Sequence, residues 1–176
     1  MMHPRSLRIR SANPTDLDEL VTSSVALAQE TEGRLLHKDT LRAGIQTIMC
    51  SPDKGFLIVA EVHDEQQFRT VGQLMVTYEW SDWRNSVFWW IQSVYVDPAW
   101  RRHRIYRAMH RYIREKARAN RNICGIRLYV EQHNQTAQTA YRKLGLRQAK
   151  YIVYEEEFNR PQSSSLGESR NPTEVL

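Results

Sequence analysis

Between Ile91 and Ala119 three kinds of local chemistry follow one another without a break. An apolar run, Ile91-Gln92-Ser93-Val94-Tyr95-Val96, leads through Asp97-Pro98-Ala99-Trp100 into a basic turn, Arg101-Arg102-His103-Arg104. From there Ile105, Ala108, Met109, Tyr112 and Ile113 recur at helical spacing, which leaves Arg107, Arg111 and Arg114 on other faces. A strand that passes directly into a helix start leaves several backbone N–H groups unpaired beside the positive end of the helix dipole. That arrangement suits an anion, above all a phosphate or pyrophosphate. Further along, Asn134 and Tyr141 are separated by about two helical turns and so point the same way.

These residues resemble two motifs of the GNAT superfamily of N-acetyltransferases. In the first, a strand ending in Val-x-Pro is followed by Gln/Arg-x-x-Gly-x-Gly/Ala and an amphipathic helix. Val96, Pro98 and Arg101 stand at the matching positions, while Arg104 and Tyr106 occupy the two glycine positions. The segments Glu79-Trp80-Ser81-Asp82-Trp83-Arg84 and Trp89-Trp90-Ile91-Gln92-Ser93-Val94-Tyr95-Val96 are similar to a bacterial-type subgroup. In that subgroup an aromatic residue at the second glycine position is ordinary, which leaves Arg104 as the departure. The second motif, Asn-x-x-Ala-x-x-x-Tyr, is matched by Asn134, Ala137 and Tyr141 and completed by Arg142-Lys143-Leu144-Gly145-Leu146.

The resemblance implies acetyl transfer from acetyl-coenzyme A directly to an amine, with no covalent enzyme intermediate and no metal. The backbone amides of Arg102, His103, Arg104 and Tyr106, following Arg101, are expected to anchor the pyrophosphate. Glycine at position 104 would let a ligand approach closely, whereas Arg104 brings a charge-assisted donor. Main-chain groups of Val94, Tyr95 and Val96, across a gap from Ile126 to Glu131, are expected to hold the pantetheine arm and the thioester carbonyl. Asn134 and Tyr141 are expected at the coenzyme, with the Tyr141 hydroxyl as general acid toward the departing sulfur. Many relatives place a basic carboxylate on the central strand, where this chain has Gln92. Glu79 and Asp82 are then the candidate bases, and together with Glu30 and Glu32 they would attract a cationic amine. Trp80, Trp83, Trp89 and Trp90 suggest core packing or a cation–π wall.

The elements that must position these groups follow from periodicity. Leu7 to Arg10 alternates as a first strand, and Asn13-Pro14-Thr15-Asp16 is a helix start with Leu17, Leu20, Val21 and Ala28 on one face and Gly33 at its end. Leu41, Ile45 and Ile48 form a second helical stripe, stopped at Pro52. Strands are expected at Gly55–Val62, Thr70–Trp80 and Val87–Val96, joined by polar turns at His63–Gln67 and Ser81–Asn85. The third of these reads as central and buried on both faces. After the basic helix, Asn122–Gly125 reads as a loop and Ile126, Leu128 and Val130 as a strand. Asn134 to Gly145 spans a short helix, and Tyr151–Phe158 reads as a last strand. The order β α α β β β α β α β defines an α/β (α+β) class, a mixed sheet flanked by helices, and is also the order of the GNAT fold. The expected layout is a flexible start at residues 1–6, one domain at 7–158 and a disordered tail at 159–176.

Composition sets the outer limits. A chain of 176 residues with 41% apolar and 26% charged residues fits one soluble domain with one core. The net charge of +5 is concentrated: nine Lys/Arg lie between Arg101 and Arg121, against one acid, Glu115. Cys50 and Cys124 have no metal-ligand spacing and are expected as buried small hydrophobes in a reducing cytoplasm. No apolar run approaches ~20 residues, so a membrane span is not expected. The expected partner is a small-molecule or peptide amine, with a homodimer as an option and no nucleic-acid motif in view. Two other readings stay open: a GNAT domain that binds coenzyme A or a protein without turnover, suggested by Arg104 and Gln92, and a basic nucleic-acid-binding module.

Overall fold

The computed structural model of the protein describes residues 6–64, 67–156 and 158. The expected disordered tail, and all but Ser6 of the expected flexible start, lie outside the described residues. In chain order the elements are β1 (Leu7–Ser11), α1 (Leu17–Glu32), α2 (Lys38–Cys50), β2 (Gly55–Asp64), β3 (Gln67–Ser81), β4 (Ser86–Val96), α3 (Ile105–Ala119), β5 (Ile123–Leu128) and α4 (Gln135–Lys143). One mixed sheet runs β1-β2-β3-β4-β5, antiparallel throughout except for the parallel β4–β5 pair, whose connection is α3.

Local chemistry sets the helix ends. The Asn13 side chain accepts from the Thr15 N–H (2.9 Å), the Asp16 carboxylate accepts from the Asn13 N–H (2.7 Å), and Pro14 opens the short 3-10 turn that runs into α1. Gly33 ends α1 in the left-handed region at φ 62°. Asp16 and Glu61 are both buried and share Arg10, whose guanidinium donates to Asp16 at 2.7 Å twice and to Glu61 at 2.6 Å. Arg8 adds a second pair to Glu61 at 2.6 Å. Burial would raise both carboxyls, but the hydrogen bonds and charges of the arginines more than offset it and hold both below the usual carboxylate range.

Helices cover both faces of the sheet. On one, Ile105, Met109, Ile113 and Ala117 of α3 pack on Ile58, Ala60, Val62, Leu74, Val76, Trp89 and Ile91. On the other, Leu20 and Val21 of α1 and Ile45 and Ile48 of α2 meet Leu57 and Val59. Each large apolar side chain buried this way contributes ~1.5–3 kcal/mol.

Five expectations need correction. The middle strand is β3, not β4, and β4 is covered only in part: Trp90 is half-buried and Gln92 exposed. Its apolar run owes much to aromatic residues, which shield one another as well as a core. The segment read as a loop at Asn122–Gly125 is mostly the start of β5. Gly125 there serves close approach and not a turn, since a Cβ at that position would lie 2.7 Å from the Phe88 ring. Residues 151–156 form no strand, and Tyr151, Ile152, Val153 and Tyr154 are exposed. Consecutive apolar residues supply β propensity but neither an alternating face nor a partner. Cys50 and Cys124 are exposed free thiols and not buried hydrophobes; Cys50 ends α2 away from the stripe of Ile45 and Ile48. Finally, the turn between β2 and β3 is shorter than His63–Gln67, because the ladder extends through Asp64↔Gln67.

Candidate functional site

β4 carries an irregularity at its centre. Leu74 of β3 lies opposite Val94, but Val76 lies opposite Ile91, so Gln92 and Ser93 together face the single residue Met75. This is a β-bulge, and it bends the strand. The parallel ladder to β5 ends just before it, at Ile91↔Leu128. Beyond that pair β4 continues to Val96 with no strand on its β5 side among the described residues, and a wedge-shaped gap opens in the sheet.

Hydrogen-bond alternation decides which backbone groups point into the gap. The Asp97 N–H donates to the Val71 carbonyl at 2.9 Å, and alternate residues of an antiparallel strand point the same way. Tyr95, opposite Gln73, therefore turns its main chain toward β3, and Val94 and Val96 turn theirs toward the gap. The Val96 carbonyl is already engaged: the Arg101 Nε donates to it at 2.9 Å. What remains facing the gap is the Val94 N–H and C=O and the Val96 N–H.

The basic turn closes one end of the gap. Arg102 (φ 68°) and Arg104 (φ 63°) both adopt the left-handed conformation, which ordinarily favours glycine. Arg104 is the N-cap of α3 and its side chain makes no capping bond. No backbone carbonyl among the described residues outside the helix accepts from the amides of Arg102, His103 or Arg104. With the first amides of α3 they form a concave row of donors at the positive helix end. The side chains divide their work: Arg101, Arg102 and Arg104 are all exposed, but Arg101 is paired with Glu30 of α1 at 2.5 Å, and His103 Nδ1 donates to the Arg101 carbonyl at 2.9 Å.

α4 meets the start of α3 through its Tyr141. Asn134 caps it by accepting from the Ala137 N–H at 2.9 Å, and Tyr141 lies two turns on, its ring edge-on to Tyr106 at 5.6 Å between centroids. The second motif is thereby brought against the first. Burial raises the Tyr141 hydroxyl above its ordinary pKa, so it keeps its proton across the neutral range. Tyr106 is raised further by burial and by Tyr141, and its hydroxyl is buried without a hydrogen-bond partner among the described residues.

The four acids fall at different places. Glu79 lies on β3 diagonally from Trp90, whose Nε1 donates to it, and accepts from Arg127 at 2.6 Å. Asp82 is on the β3–β4 hairpin tip, where it accepts from the Trp83 N–H at 2.8 Å, at the opposite end of β4 from the gap. Glu30 is paired with Arg101, and Glu32 sits 3.6 Å from Arg34. Of the four tryptophans singled out in the sequence, Trp89 is core, Trp80 and Trp83 are exposed, and Trp90 stacks on Tyr129. Sequence reasoning overlooked Tyr129, which stacks on Trp90 at 4.3 Å. Its signal was position, the first residue after the last apolar residue of β5. No group of three or more His, Cys, Asp or Glu among the described residues is placed to hold a metal ion, and no helix among them is long and apolar enough to cross a membrane.

Residues 22–146 match the family model described as "Acetyltransferase (GNAT) family". Among solved structures, a possible acetyltransferase from Clostridium difficile 630 is 41% identical, with a TM-score of 0.80 over 88% of this chain and 99% of that one. AAC(6')-Iy in complex with the bisubstrate analog CoA-S-monomethyl-acetylneamine shares the fold at 15% identity and TM-score 0.69, covering 86% of this chain and 98% of that one. An aminoglycoside acetyltransferase from an uncultured soil metagenomic sample, in complex with sisomicin, does so at 15% and 0.62, covering 88% and 97%. No functionally curated protein matches the chain.

Proposed function

The chain belongs to the GNAT acetyltransferase family, and from that premise we propose that it transfers an acetyl group from acetyl-coenzyme A directly to an amine. The observation that supports the reading is one arrangement: the free main chain of Val94 beyond the end of the ladder, the donor row from Arg102 to Tyr106 at the start of α3, and Tyr141 in ring contact with Tyr106 of that row.

The chain's groups fit the donor molecule. Backbone amides of Arg102 to Tyr106 would hold a pyrophosphate whatever their side chains, and the exposed Arg104 guanidinium would add a charge-assisted donor. The Val94 main chain, left without a strand partner, offers the pairing an extended amide-containing arm needs. When bound, acetyl-coenzyme A supplies an electrophilic thioester carbon and a thiolate leaving group. The amine forms the new C–N bond as the C–S bond breaks. Tyr141 gives its proton to the sulfur and regains one from solvent, and the proton lost by the amine passes to a base. Gln92 cannot take that proton, and it donates instead to Thr77 at 2.8 Å. Glu79 shares a sheet face with Gln92 and is held there by the Trp90 indole and Arg127, and we assign it this role, with water as intermediary.

Two measurements test the reading. Acetyl-coenzyme A at about 1 mM is expected to raise the melting temperature, because only the folded state binds it. A panel of amines is then expected to yield free thiol in step with acetylated product. An unchanged melting temperature would sink the reading. A raised one with no thiol release from any amine would favour a domain that binds the coenzyme without turnover, the reading to which Gln92 and the left-handed Arg104 lend support.

A further inference from the structure

The mouth of the gap is aromatic. Ile91↔Leu128 is the last pair of the β4–β5 ladder, so Gln92 and Tyr129 are the first residues beyond it. Thr77 lies opposite Trp90 and Glu79 opposite Phe88, and Trp90 is the ladder partner of Arg127. Directly paired residues share a face, and so do alternate residues along a strand. Glu79, Trp90, Gln92, Arg127 and Tyr129 therefore line one continuous strip, on the face that bears α1 and α2 but beyond the core those helices build over β2.

Charge on this strip is already spent internally. Glu79 takes the Arg127 guanidinium and the Trp90 indole N–H, and Arg127 stacks 3.7 Å above the Phe88 ring. Gln92 is neutral and bonded to Thr77. Glu30 is held by Arg101, and Glu19 lines a separate cavity of about 200 Å³ beyond Tyr95. What the mouth offers to a newcomer is a ring face: Tyr129 is 55% exposed, with one side stacked on Trp90 at 4.3 Å and 33°. A stack whose outer ring stays in water is poor use of apolar surface for the fold alone, since most of that area remains wet.

Resting on the enzyme reading above, we infer that Tyr129, backed by Trp90, is the specificity platform for the acyl acceptor, and that the acceptor carries a flat ring a short chain away from its amine. The ring lies on the outer face of Tyr129, and the amine is thereby presented at the mouth of the gap. A linear polyamine, which needs unpaired carboxylates, is disfavoured by the Glu79–Arg127 pairing.

The test uses the full chain saturated with coenzyme A, which has no acetyl group to transfer, and calorimetric titration with tyramine, n-hexylamine and spermidine. Tyramine is expected to bind about tenfold more tightly than n-hexylamine, the scale of one aromatic stack. Tyr129→Ala is expected to remove most of that preference and Tyr129→Phe to keep it, and both should retain the coenzyme's thermal stabilisation. Tyr129 is exposed, so both variants should fold, and the melting temperature checks this. Equal affinities, a preference for spermidine, or a ring preference that survives Tyr129→Ala would overturn the inference. Stabilisation by acetyl-coenzyme A without any ring preference refutes this inference alone. Ring preference in a protein that releases no thiol refutes turnover and leaves the platform standing.

Discussion

At the scale of single residues, Arg104 carries two opposed effects. Its left-handed backbone costs a non-glycine residue ~1–2 kcal/mol, while its exposed guanidinium lies beside the donor row. Arg104→Gly should therefore stabilise the free protein by ~1 kcal/mol, about 2–4 °C in melting temperature for a chain of this size. The same variant should bind acetyl-coenzyme A roughly 3- to 30-fold more weakly, because a charge-assisted contact is lost in a partly screened site. Thermal melts and calorimetry on the one variant separate the two, and tighter coenzyme binding would mean that Arg104 obstructs the turn. Tyr141→Phe keeps the ring against Tyr106 and removes only the hydroxyl. Turnover should fall ~10²–10⁴-fold with coenzyme affinity nearly intact; turnover unchanged when chemistry limits the rate would return Tyr141 to a packing role.

Among the elements, β1 is short but ties the scaffold together through Arg10. Arg10→Met should cost ~3–5 kcal/mol, measured by urea unfolding, since it leaves Asp16 and Glu61 buried with Arg8 as the one remaining cation. A loss below ~1 kcal/mol would show that the carboxylates relax into water. This scale also shows what a sequence can and cannot reveal. Asn13, Pro14 and Gly33 bounded α1, and the stripe from Ile105 to Ile113 drew α3, because caps and amphipathic faces are local properties. The gap beside Val94 was anticipated only through resemblance, and the position of the bulge at Gln92–Ser93 is a property of two strands in register. The engagement of Glu79 by Arg127, 48 residues away, had no local signature at all. Tyr129 had only its position just past β5 to mark it, and the strand expected at Tyr151–Phe158 failed because propensity cannot furnish a partner.

For the molecule as a whole, protonation links the packing of α3 to solution conditions. His110 is buried with its Nε2 unpartnered among the described residues, between Tyr106 one turn before and Arg114 one turn after. Burial first, and Arg114 second, push its pKa below the ordinary histidine value. The unfolded chain then binds the proton more readily, so stability is whole above about pH 6.5 and declines as pH falls toward the folded value. Asp16 and Glu61, depressed in the folded state, add a second decline below about pH 4.5. Urea midpoints across pH should show both steps, and His110→Phe should flatten only the upper one; an upper step that persists in that variant would assign it elsewhere.

The shortness of the β4–β5 ladder also has a kinetic side. β2, β3 and β4 join through tight hairpins, whereas β5 reaches β4 only after the whole of α3, and its ladder spans five pairs. Long-range pairings close late and open early. The amides of Ile123 to Leu128 should therefore exchange with deuterated water well before those of β2 and β3. A molecule lodged where the two strands part would act as a wedge that fastens this seam. Acetyl-coenzyme A should accordingly slow exchange in β5, the second half of β4 and the turn from Arg102 to Tyr106, and leave β1 and β2 at their original rates. Uniform slowing across the sheet would mean instead that the sheet opens as a single unit.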